Sequence, residues 1–264
     1  MTPHIHVTEG GDPKGDPNGD LAGAPVVFLH ALGLDSRMWG AVWPLLPRRA
    51  RLIGIDLRGH GQSDVPPAPY AMGALIRDVE RAMDERGLRD AVVVGLSVGG
   101  LIAQGLAAKR LDLVRALVLS NTAAKIGTRA QWDERAALVR EKGVGALADG
   151  VLARWFGART RDSDGARAMA AILRATPPEG YAGVAAAIGG TDFITTTSGL
   201  RLPTLVIAGT EDGSTPPDLV RELAELIPGA RHELIRGAGH LPPVDQPEAF
   251  ATLLTAFLRD TGHV

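Results

Sequence analysis

The sequence predicts an α/β fold, a mostly parallel, doubly wound sheet with an all-helical lid inserted between two of its strands. Three observations carry that expectation. Short apolar runs recur that suit strands buried on both faces, helix-period segments alternate with them, and in one long stretch the alternation stops.

In chain order, residues 10–23 (GGDPKGDPNGDLAG) are dense in Gly, Asp and Pro and read as a mobile surface loop. Residues 26–29 and 51–56 follow as strands. Residues 72–86 form a helix with Leu75, Ile76, Val79, Ala82 and Met83 on one face. A strand at 91–95 leads into a small, apolar helix at 98–109, of the kind that packs under a sheet, and then into a strand at 116–120. From about 125 to 197 no strand is read, only helical periods at 132–142, 144–156, 166–175 and 180–188. Strands resume at 204–208 and, more weakly, at 232–235, and an amphipathic helix at 248–259 closes the chain. The expected organisation is a core in two parts, residues 1–124 and 199–264, with a lid at 125–198. Such a lid would lie over the carboxyl ends of the strands, where open α/β sheets bind ligands.

Bulk properties exclude several classes. With 45% apolar residues in 264, the chain can bury one sizeable core. A net charge of −2 provides no basic field for nucleic acid, and the absence of cysteine rules out disulfides, thiolate metal sites and a cysteine nucleophile. The first 24 residues lack an apolar signal region, and no apolar run approaches a membrane span. A soluble cytoplasmic protein without membrane or nucleic-acid partners is expected. Its oligomeric state is left open.

Gly95-Leu96-Ser97-Val98-Gly99 fits G-x-S-x-G, and its placement between a strand and a helix matters more than the pattern. Such a turn holds its serine in a strained conformation above the sheet, while the helix N-terminus favours negative charge nearby. A serine needs a base and a group that orients it. Asp212 follows the strand at 204–208 and His240 follows the strand at 232–235, in the order Ser, acid, His. Glu211 competes with Asp212, but a loop normally turns only one of two adjacent residues inward. His232 and His263 read as solvated. Two backbone N–H groups should form an oxyanion hole, one from Val98 and one from Leu32, in the loop His30-Ala-Leu-Gly.

Asp56-Leu-Arg-Gly-His-Gly-Gln-Ser-Asp64 reads as a tight turn, with Arg58 and Asp64 placed to pair locally. No metal-ligand spacing is found, and the Gly-rich residues 95–100 lack the lysine of a phosphate loop; neither metal nor cofactor is expected.

His30-Ala-Leu-Gly, Asp56-Leu-Arg-Gly-His-Gly-Gln-Ser and Gly95-Leu-Ser-Val-Gly-Gly together resemble the α/β-hydrolase superfamily. Ser120-Asn-Thr-Ala-Ala-Lys-Ile-Gly-Thr128 with Trp132, then Val151-Leu-Ala-Arg-Trp-Phe156, and Ile207-Ala-Gly-Thr-Glu-Asp-Gly-Ser-Thr-Pro-Pro217 resemble the narrower family of 3-oxoadipate enol-lactone hydrolases of protocatechuate catabolism. That resemblance, over most of residues 25–258, implies opening of an unsaturated lactone through an acyl-serine, without a cofactor. The partner would be a small lactone or ester carrying a carboxylate. That carboxylate wants a cation, for which Arg135 or Arg154 is the candidate, with Trp132 and Trp155 as pocket wall or lid anchors. Gly189-Gly190 stand where the family commonly has an Arg-Asp pair. Other readings are a different ester, lactone or C–C bond hydrolase with the same triad, or a non-catalytic ligand-binding protein. The charged lid, with Arg159, Arg161, Asp162 and Asp164, disfavours a lipase.

Overall fold

The structure, a computed structural model, describes residues 2–11, 25–48 and 50–262. The loop expected at 10–23 lies, from residue 12 onward, outside the described residues, as does His263. Seven strands form one sheet: β1 (Val7–Gly11), β2 (Pro25–Leu29), β3 (Arg51–Ile55), β4 (Ala91–Leu96), β5 (Val114–Ser120), β6 (Thr204–Gly209) and β7 (Arg231–Ile235). Their spatial order is β1-β3-β2-β4-β5-β6-β7; β1 runs antiparallel to β3 and every other pairing is parallel.

The central strands β2, β4 and β6 are buried along their whole length, which is why they read as unbroken apolar runs. The edges are different. β1 was not expected, because its VTEGG sequence is half-exposed and carries no apolar alternation. The weak signal of β7 reflects its edge position, where four of its five residues are at least partly exposed.

Helix α2 (Val98–Lys109) packs on β2, β4 and β5 near the centre of the sheet and is buried on nearly every side, with α1 (Met72–Glu85) packed against it. Between β5 and β6 lie α3 (Arg129–Lys142), α4 (Gly145–Trp155), α5 (Asp164–Ala175), α6 (Pro178–Gly189) and the short α7 (Ile194–Ser198). Local signals start three of them. Thr128 and Gln131 form a reciprocal capping box on α3, Ser163 caps α5 through the Ala166 N–H, and Pro178 opens α6. After β6 come α8 (Pro217–Leu226), the short α9 (Pro242–Asp245) and α10 (Pro247–Asp260).

One local expectation fails. Arg58 does not pair with Asp64; its guanidinium grips Asp78 of α1 at 2.5 and 2.8 Å, and Asp64 instead accepts the His4 N–H at 2.7 Å. The side chains of Arg58 and Asp78 are both largely buried, and a long-range partner shielded from water outcompetes an exposed one six residues along the chain.

Candidate active site

Ser97 is the single residue between β4 and α2, with φ 56° and ψ −116°. A non-glycine residue held there costs about 1–3 kcal/mol, which the neighbouring packing must offset. The Ser97 N–H donates to the Ser120 carbonyl at 3.1 Å, and the Ser97 carbonyl accepts the Thr122 hydroxyl at 2.7 Å. The flanking glycines are a matter of space. A Cβ on Gly95 would stand 2.4 Å from the Gly99 carbonyl oxygen, and one on Gly99 would stand 2.3 Å from that of Leu29. Val98 opens α2, so its N–H is among those with no acceptor inside the helix.

Asp212 and His240 meet directly: His240 Nδ1–H donates to Asp212 Oδ2 at 2.9 Å, with both side chains buried. The carboxylate is saturated. Its Oδ2 also accepts the Asn121 amide at 2.8 Å and the Thr215 hydroxyl at 2.7 Å, and its Oδ1 accepts the backbone N–H groups of Ser214 and Thr215 at 2.7 and 3.1 Å. Burial alone would raise its pKa. The charge and hydrogen bond of His240, with the Asn121 and Ser214 donors, outweigh burial and hold the carboxyl below its usual range. Of the rivals, Glu211 turns away and accepts the Ala158 N–H at 2.6 Å, while His232 sits on the edge strand β7, outside the cavity.

Ser97 and His240 line one cavity of about 280 Å³ together with Ala31, Leu32, Trp132, Arg135, Arg154, Trp155 and Tyr181. All three pocket residues expected from the sequence (Trp132, Arg135 and Trp155) therefore face it, and so does Leu32. Arg135 lies between two aromatic faces, 5.3 Å from the Trp132 ring and 5.8 Å from that of Tyr181, and its buried Nε has no hydrogen-bond partner. Among the described residues no carboxylate lies within 4 Å of Arg135 or Arg154. Burial and the charge of Arg135 lower the pKa of Arg154, so the two guanidiniums repel one another across the cavity. The end of α4 is stitched to the loops below: Gly213 N–H donates to the Arg154 carbonyl at 3.3 Å and Leu241 N–H to that of Trp155 at 3.2 Å. Gly189 has a role here as well, since a Cβ there would stand 2.9 Å from the Cβ of Trp132. An arginine at 189 would thus push Trp132 and the close α3–α6 crossing apart.

Sequence reasoning missed three residues. Tyr181 is buried in α6, a helix of glycine and alanine in which it is the one aromatic side chain. Asn121, at φ 47°, and Thr215 hold Asp212. The polar triplet Ser120-Asn121-Thr122 at the carboxyl end of a strand was the available signal.

A buried hydroxyl on a strained turn, an imidazole braced by a carboxylate, and the Leu32 loop lining the same small cavity form an arrangement able to carry out acyl transfer. The sequence profile of the alpha/beta hydrolase fold family matches residues 24–247. Two curated relatives are 3-oxoadipate enol-lactonases 2 and 1 of Acinetobacter baylyi. The first is 32% identical over 89% of this chain and 88% of its own length, the second 31% identical over 92% and 91%. Among solved structures, the enol-lactonase from Burkholderia xenovorans LB400 superposes with a TM-score of 0.90 at 35% identity, covering 97% of this chain and 96% of that one. A thermophilic esterase from Thermogutta terrifontis, with malate bound, also gives 0.90 at 30% identity, covering 98% and 94%.

Proposed function

The chain belongs to the α/β-hydrolase fold family, and from that premise we propose that it is a serine hydrolase that opens 3-oxoadipate enol-lactone to 3-oxoadipate. In this reading Ser97 Oγ attacks the lactone carbonyl as His240 takes its proton, and Asp212 steadies the imidazolium. The oxyanion is met by the N–H groups of Leu32 and Val98, each such donor contributing about 3–4 kcal/mol to the transition state. Collapse breaks the ring C–O bond, and His240 returns the proton to the departing enol oxygen. The enol tautomerises to a ketone, which removes the nucleophile that would close the ring again. Water, deprotonated by His240, then cleaves the acyl-serine and frees the acid and Ser97.

The observation that carries the substrate class is the pair Arg135 and Arg154, two guanidiniums without a carboxylate partner among the described residues, beside Ser97 and His240. A substrate carboxylate relieves their repulsion and can satisfy the unpartnered Nε of Arg135. Cavity size agrees: about 280 Å³ lies just below the range of roughly 300–1,000 Å³ that suits drug-sized ligands, as a compact ring with one arm requires.

The test compares the lactone bearing its carboxymethyl arm with the same ring bearing a neutral alkyl arm, in wild type, Arg135→Met and Arg154→Met. A charge-assisted hydrogen bond contributes about 1.5–3 kcal/mol, so at least one substitution should cut the preference for the charged arm by roughly 10- to 100-fold. The neutral substrate should be little affected. An unchanged preference in both variants would remove the arginines from the account and open the site to esters without a carboxylate.

A further inference from the structure

The turn at residues 56–64 has no part in the chemistry above, yet it is wired into the loop that carries Leu32. His60 is fully buried; its Nε2 accepts the Gly33 N–H at 3.0 Å and its Nδ1–H donates to the Arg58 carbonyl at 3.2 Å. The exchange is reciprocal. His30, equally buried and belonging to the Leu32 loop, accepts the Leu57 N–H at 2.9 Å through Nε2 and donates from Nδ1 to the Ala31 carbonyl at 2.8 Å. Each Nε2 faces a backbone N–H that cannot reverse, so both rings are neutral and protonated on Nδ1. Burial agrees with this, pushing His60 down to about 3 and lowering His30.

Peptide geometry makes the arrangement directional. Carbonyl and N–H point in opposite directions across a trans peptide. The Ala31 carbonyl is held by His30 Nδ1–H and by the Leu34 N–H at 3.2 Å, which turns the Leu32 N–H away from both. That N–H has no hydrogen-bond partner among the described residues, and Leu32 lines the cavity with Ser97. The next peptide is fixed by His60 at the Gly33 N–H, and the one after it by the Thr176 hydroxyl, which donates to the Gly33 carbonyl at 2.9 Å from the C-terminal end of α5.

Building on the serine-hydrolase reading, we propose that His60 is a positioning residue for the oxyanion hole: it pins the Leu32–Gly33 peptide so that the Leu32 N–H meets the negative oxygen that develops over Ser97. The contact is remote from substrate, and its loss acts on the transition state rather than on binding.

Three variants test this. His60→Leu removes the acceptor without leaving room for a water to replace it, His60→Gln restores an acceptor at the place of Nε2, and His60→Asn reaches only the place of Nδ1. Active sites are counted by fluorophosphonate labelling of Ser97, and kcat, KM and the Ki of a boronic acid that forms a tetrahedral adduct are measured. For His60→Leu, kcat per labelled site should fall by up to about 10²-fold and boronate affinity by a similar factor, with KM within about threefold. His60→Gln should stay within about fivefold of wild type. Equal kcat per labelled site and equal boronate affinity in Leu and wild type would overturn the proposal, whatever happens to the melting temperature. Should His60→Leu not fold, the Gln and Asn variants decide it: Gln active and Asn impaired supports it, and equal activity of the two defeats it. Failure of wild-type Ser97 to label at all would defeat the serine-hydrolase reading and this proposal with it.

Discussion

Replacing Asp212 by asparagine should disable His240 through its tautomer, and the structure sets how. The two backbone N–H groups on Oδ1, from Ser214 and Thr215, cannot reverse. An asparagine must therefore keep its oxygen on them and turn its NH2 toward the partners of Oδ2, which are Asn121, Thr215 and His240. The Thr215 hydroxyl can rotate to accept. Asn121 cannot flip, because its Oδ1 accepts the Ser120 hydroxyl at 2.9 Å and its Nδ2 also donates to the Gly239 carbonyl at 3.2 Å. His240 must then accept at Nδ1, which moves its proton to Nε2 and removes the lone pair that a base needs. The same tautomer error in serine proteases lowers kcat about 10⁴-fold, or about 5 kcal/mol of transition-state stabilisation. Two opposed NH2 groups and the lost charge-assisted bonds should destabilise the fold by roughly 1–3 kcal/mol as well. The assay is kcat on an aryl ester, with circular dichroism and a denaturation midpoint to establish that the variant is folded. A folded Asp212→Asn protein with kcat within about tenfold of wild type would refute the role given to the Asp212–His240 pair.

Acid should weaken the fold before it protonates the carboxylates. His30 and His60 both have lowered pKa values in the native state, so below the unfolded value near 6.5 the unfolded chain takes up protons that the native chain refuses. Stability should fall by somewhat over 1 kcal/mol per pH unit for each such histidine as pH drops from about 6.5 toward the native pKa, and Asp212 adds its own loss below about 4. Urea midpoints from pH 7 to 4 would measure this, with a shallower slope in His60→Gln; a flat profile would contradict it. Asp245 ties the α4–α5 connection to the His240 loop, since its Oδ2 accepts the N–H groups of Gly239 and Gly157 at 2.6 and 3.1 Å and its Oδ1 accepts the Thr160 hydroxyl at 2.5 Å. Asp245→Ala, which leaves buried donors unpaired, should cost about 2–4 kcal/mol in a denaturant titration, whereas Asp245→Asn should cost far less, because the Thr160 hydroxyl can reverse.

What could be read from the sequence follows from where the physics is local. Ser97, Asp212 and His240 could be read because each follows a strand, plain for β4 and β6 and weak for β7, and the fold brings strand ends together. The segment between β5 and β6 was legible as helices from its apolar periods, although the starts read at 132, 166 and 180 fall two to three residues after the capped starts at Arg129, Asp164 and Pro178. Strand β1 was not, since a half-exposed edge needs no apolar pattern, and α8 was missed because its buried stripe is only Val220, Leu223 and Ala224, behind a proline pair that reads as loop. The Arg58–Asp78 pair, the stacking of Arg135 on Tyr181 and the Asn121 bond to Asp212 are contacts between elements distant in sequence. No spacing along the chain announces such contacts.

Steady-state hydrolysis of 3-oxoadipate enol-lactone, followed as loss of its ultraviolet absorbance in wild type beside Ser97→Ala, tests the central claim most directly. Rapid loss that the substitution abolishes is the predicted result. No loss with wild type, while an aryl ester is still cleaved in a Ser97-dependent way, would contradict the lactone assignment and leave a serine hydrolase whose substrate is set elsewhere in the Arg135–Arg154 cavity.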